Sequence, residues 1–83
     1  MTRVDFVFDG APHYALYEVT GLDGTDEYYL ELRDRGLISE FGLGITFKAN
    51  DEGRFLPGNS DTPRKKALLE TILLAIDQEA ASR

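Results

Sequence analysis

Between His13 and Asp34 the chain alternates in character on both sides of an Asp-Gly pair at 23–24. Asp and Gly accept the positive φ angles of a two-residue hairpin turn, which constrains this stretch to an antiparallel hairpin. With Asp23 and Gly24 as the central residues, Val19 faces Tyr28, Tyr17 faces Leu30 and Ala15 faces Leu32. A second alternating stretch, with Val4, Phe6 and Phe8 on one side and Asp5, Val7 and Asp9 on the other, precedes a break at Gly10-Ala11-Pro12. Closing this first hairpin around Ala11-Pro12 sets Val4 opposite Val19, Phe6 opposite Tyr17 and Phe8 opposite Ala15. Both turns then assign the same face of the middle strand to the core, and a slip of one residue in either would destroy that agreement.

Downstream, Asp34–Gly42 reads as a longer connection whose apolar residues Leu37, Ile38 and Phe41 are aperiodic and plug one end of the core. A fourth strand at about 43–49 turns Leu43, Ile45, Phe47 and Ala49 inward. Asn50–Gly53 turns the chain, Phe55 and Leu56 close the edge of the core, and Pro57-Gly58-Asn59 ends the sheet region. Thr62-Pro63 is an N-cap followed by proline at the first helical position, where its missing N–H costs nothing. Leu69, Ile72, Leu73, Ile76 and Ala80 then recur at three- and four-residue spacing, a single apolar stripe on a helix over about 63–81. The expected fold is α+β: a two-layer sandwich of a four-stranded antiparallel meander (strands about 3–9, 13–20, 27–34 and 43–49) with one C-terminal helix on one face. At 83 residues, 1–83 is one domain.

Composition narrows the chemistry. There is no cysteine, so disulfides, thiolate metal sites and cysteine nucleophiles are excluded, and stability rests on packing. The net charge is -6, with only three lysines (Lys48, Lys65 and Lys66), which disfavours direct contact with nucleic acid. No stretch has the length and apolarity of a membrane span, and charges at Arg3, Asp5 and Asp9 interrupt any signal-peptide pattern; the expectation is a cytoplasmic protein of bacterial style.

No catalytic, cofactor or metal signature stands out. His13 is the sole histidine; it reads as a surface residue of a turn, with Asp9 within reach and no hydroxyl nucleophile beside it. Asp23, Asp26 and Glu27, and likewise Asn50, Asp51 and Glu52, lack the ligand spacing of a calcium loop and read as solvated turns. Gly42-Leu43-Gly44 enters a strand and lacks the third glycine of a dinucleotide loop.

Two features remain. The sheet face turned away from the helix carries Val7 opposite Leu16, Tyr14 opposite Arg33 and Glu18 opposite Tyr29. Val7, Tyr14, Leu16, Tyr29 and Arg33 thus form a candidate protein-binding patch with an apolar centre and a charged rim. Arg64, Lys65 and Lys66 place cations in the first helical turn against the macrodipole, which suggests contact with an anion or pairing with nearby carboxylates. The expected function is a non-enzymatic interaction module, an adaptor or regulator needing no cofactor. It would bind a protein partner or a second copy of itself as a homodimer through the open sheet face or a sheet edge. The alternative is an acidic inhibitor that mimics nucleic acid in a basic site of a partner enzyme, with Asp5, Asp9, Glu18 and Glu31 as its carboxylates.

Overall fold

In a computed structural model, which describes residues 1–22, 25–50, 54–56 and 62–81, the chain runs β1 (Thr2–Phe8), β2 (Ala11–Leu22), β3 (Thr25–Leu32), α1 (Arg35–Phe41), β4 (Gly44–Asn50), β5 (Phe55–Leu56) and α2 (Pro63–Ala81). The strands form one antiparallel sheet in the order β1-β2-β3-β4-β5, curled into a half-barrel. The expected α+β class, antiparallel meander and C-terminal helix are present, but the sheet has five strands. Phe55 and Leu56, read only as an edge closure, pair with Ala49 and Lys48.

The second hairpin has the register that Asp23-Gly24 implies, with Ala15 opposite Leu32, Tyr17 opposite Leu30 and Val19 opposite Tyr28; the turn residues themselves lie outside the described residues, as do Asp51–Gly53 and Pro57–Asp61. The first hairpin differs. It turns at Asp9 and Gly10, whose φ angles are 54° and 74°, so Phe8 faces Ala11, Phe6 faces His13 and Val4 faces Ala15. Pro12 is accommodated inside β2 because its pair with Val7 of β1 is a non-hydrogen-bonded one and its missing N–H would point to the other side, where β3 has already ended.

The new register moves β1 by four residues along β2, an even number, so the inward set is preserved: Val4, Phe6, Phe8, Ala15, Leu30 and Leu32 are all buried. The neighbours change, however. β1 pairs with β2 only as far as Tyr17, leaving the far end of β2 overhanging, and Val19, expected in the core, is 45% exposed. Leu43 is also exposed instead of inward, because β4 begins one residue later.

Thr62 caps α2 as expected, its Oγ1 accepting the Lys65 N–H at 3.1 Å. Leu68, Leu69, Ile72, Leu73 and Ile76 are buried against Phe6, Leu30 and Phe47, with Tyr17 packed at the margin. The helix comes closest to the two edge strands, β1 and β5, and so bridges the mouth of the curl. The connection after β3 is not irregular: Asp34 Oδ1 accepts the Leu37 N–H at 3.1 Å and caps a seven-residue helix, α1, which delivers buried Leu37 and half-buried Ile38 and Phe41 to one end of the core. Among the described residues no helix is long and apolar enough to cross a membrane.

Candidate protein-interaction surface

Both helices contribute to the core inside the curl, and among the described residues no element forms a second layer on the outer face of the sheet. Strand alternation puts Arg3, Asp5 and Val7 of β1, Tyr14, Leu16 and Glu18 of β2, Tyr29 and Glu31 of β3, and Thr46 and Lys48 of β4 on it. Val7 is 62% exposed; Tyr14 and Tyr29 are also exposed, and Leu16 is half-buried.

The expected apolar centre is split by the corrected register. Val7 faces Pro12 instead of Leu16, and at roughly 3.3 Å per residue the two are about 13 Å apart along the strands. Leu16 instead sits between Arg3 on β1 and Glu31 on β3. Tyr14 does not lie under Arg33, which follows the last residue of β3; Arg3 covers it, its guanidinium 4.1 Å from the ring centre. Arg3 is held there by Asp5 at 2.9 Å, and that bond raises the Arg3 pKa. Glu18 does face Tyr29. The Tyr29 ring lies over the bare backbone of Gly44, since a Cβ there would come within 3.0 Å of its hydroxyl, and that hydroxyl reaches Glu31 at 3.5 Å. The result is a mosaic: Val7 with Pro12 at one end, Tyr14 and Leu16 in the middle, and Tyr29 on the far side, with charged side chains between.

The basic run at the start of α2 is occupied in part. Arg64 bonds to Asp9 in the first turn and to Glu40 of α1, and its guanidinium lies 5.0 Å from the Phe8 ring centre. Two carboxylates thus offset the cation that the helix dipole disfavours. The Asp9 carboxyl is held below its ordinary pKa, first by the hydrogen bond from Arg64 and then by its charge. The Lys65 and Lys66 side chains are half-buried.

His13 is not a turn residue. It lies within β2 opposite Phe6, with its ring 5.7 Å from the Phe6 ring and only 12% of its side chain exposed. Its Nδ1 is buried and stands 3.3 Å from Asp34 Oδ2, without hydrogen-bond geometry, and Asp9 is engaged by Arg64. The Asp34 carboxyl is lowered in pKa, chiefly by the Leu37 N–H at the start of α1 and further by His13. Among the described residues no group of His, Asp and Glu is arranged to hold a metal ion.

Two surface grooves escaped the sequence reading. Both run along α2 and share Leu74, which is 59% exposed. One, of about 370 Å3, lies toward Arg54 and Phe55; the other, of about 320 Å3, lies toward Phe6 and Val7 of β1. The signal for them is the Leu73-Leu74 doublet, of which only one member can join the buried stripe.

Comparison with models of protein families, with curated proteins and with solved structures yields no match to this chain.

Proposed function

We propose that this chain is a small non-enzymatic interaction module of the cytoplasm, an adaptor or regulator that binds protein through the outer face of its sheet. The observation that carries the reading is the mosaic of Val7, Tyr14, Leu16 and Tyr29, which no other element covers among the described residues, both described helices being committed to the inner side. Aromatic rings bring large contact area at small entropic cost, and exposed tyrosines beside a half-buried leucine with a charged surround have the composition of a binding patch. Arg33, beyond the end of β3, belongs to its rim.

The mimicry alternative draws less support. Asp5 and Asp9 are paired with Arg3 and Arg64, so the outward carboxylates do not make one continuous anionic strip.

The test is affinity capture from native lysate with the wild-type chain and the Leu16→Asp/Tyr29→Asp variant in parallel. The variant is expected to melt like wild type by circular dichroism and to lose the proteins that wild type retains. The same proteins retained by both would overturn the assignment of this face.

A further inference from the structure

A two-residue turn at Asp9-Gly10 makes Phe8 and Ala11 a hydrogen-bonded pair, and bonded and non-bonded pairs then alternate along the ladder. Val4, Phe6 and Phe8 therefore direct their backbone groups toward β2. Arg3, Asp5 and Val7 direct theirs away from it, to the outer edge of the sheet. Among the described residues nothing pairs with that edge. Its charged residues are Arg3 and Asp5 and α2 packs alongside, but no proline, no lysine and no bulge interrupt Thr2–Phe8. Alongside it runs the 320 Å3 groove, with Phe6 and Val7 on one side and Thr71, Leu74 and Ala75 of α2 on the other.

We propose that this edge is a self-association site, at which β1 pairs antiparallel with β1 of a second copy of the chain about a twofold axis. The proposal deepens the reading of the chain as an interaction module and rests on it. Charge chooses the occupant and the register. Only registers that keep Val4 and Phe6 on the inner side of both copies are compatible with two intact cores. With Val4 on the twofold axis, Arg3 of each copy faces Asp5 of the other, and each such pair exchanges both backbone bonds. Sliding by one pair in one direction sets Asp5 against Asp5, and in the other direction Arg3 against Arg3; like charges directly opposite are destabilising. The favoured register also brings Val7, 62% exposed, against Met1 of the second copy, 53% exposed. The interface is isologous and closes on itself, with the two exposed Leu74 ridges flanking the joined strands.

The experiment is sedimentation of the full chain over a concentration range up to roughly 1 mM, joined to a charge-swap cycle at two exposed positions. Wild type dimerises; Asp5→Arg and Arg3→Asp are each monomeric, with dissociation constants at least about 10-fold weaker. An equimolar mixture of the two single variants, and the double variant Arg3→Asp/Asp5→Arg alone, regain the dimer. In the dimer the amides of Asp5 and Val7 exchange about 10-fold slower or more than in the monomer. A wild-type monomer throughout the range, single variants that dimerise like wild type, or a dimer whose Asp5 and Val7 amides stay unprotected would each overturn the proposal, the last pointing to another surface. An Asp5 amide protected only when a captured partner is added would overturn it too, and would give the edge to that partner's strand. A monomer whose Leu16→Asp/Tyr29→Asp variant still loses captured proteins removes the edge pairing alone and leaves the outer-face reading standing.

Discussion

Arg64, in the first turn of α2, bonds through its guanidinium to both carboxylate oxygens of Asp9, one of them at 3.1 Å, in the turn between β1 and β2. Together with the Arg64–Glu40 bond and the contact with the Phe8 ring, this links the first turn, α1 and the start of α2 at one end of the core. Arg64→Lys keeps the charge but gives up the forked geometry and the stacking. Its thermal midpoint is expected to fall below wild type, and that of Arg64→Ala further, both read by circular dichroism. An Arg64→Lys midpoint equal to wild type would show that charge alone matters there.

Acid sensitivity follows from Asp9 and Asp34. Both have folded-state pKa values below the ordinary carboxylate range. The native state therefore binds fewer protons than the unfolded chain in acid, and stability increases with pH there. The contribution is fully present above about pH 4 and is lost as the pH falls through the depressed values. Replacing Asp9 by Asn should flatten the acid limb of a plot of midpoint against pH from about 6 to 2. Asp34→Asn should flatten it also while retaining the α1 cap, since asparagine caps as well as aspartate. An unchanged slope in both variants would contradict the assignment.

Leu73 and Leu74 are adjacent in sequence and opposite in environment, the first 3% and the second 59% exposed. Leu73→Ala should cost about 2–4 kcal/mol in urea unfolding, whereas Leu74→Ala should stay within about 0.5 kcal/mol. Ile72→Asp, which puts an unpaired charge at a fully buried position, should leave the chain unfolded at room temperature. A folded Ile72→Asp would mean that α2 does not cover the inner face of the sheet.

Gly10 has a φ of 74°, which a side chain adopts only under strain. Gly10→Ala should destabilise by about 1 kcal/mol even though nothing lies within 4 Å of the new methyl. No measurable loss in urea unfolding would argue against a turn at Asp9-Gly10 and for the later one at Ala11-Pro12.

Those two turns mark where the sequence was readable. Asp-Gly marked the second hairpin, and the register derived from it held from Ala15 to Val19. The same dipeptide at 9–10 forms the first turn, but Pro12 close behind it reads as a strand breaker and points to a turn at Ala11-Pro12. It is harmless at a position that no third strand reaches. An even displacement kept Phe6 and Leu30 on one face while separating Val7 from Leu16, so the core was legible and the details of the patch were not. α1 spans two turns, too short for periodicity to show, and only Asp34 three residues before Leu37 announced it. β5, two residues long, has no pattern to read; its pairing with β4 is a tertiary event. Arg64 with Asp9 joins residues 55 apart in the chain, which spacing along one sequence does not reveal.

The outer face as a binding surface is tested most directly by recording amide spectra of the 15N-labelled chain in dilute buffer and in concentrated native lysate. Signal loss concentrated at Tyr14, Leu16 and Tyr29, with Glu70 and Asp77, exposed residues of α2 that line the groove toward Arg54 and Phe55, unaffected, is the result the account predicts. Loss confined to those α2 residues, or equal attenuation over the whole chain, would contradict it.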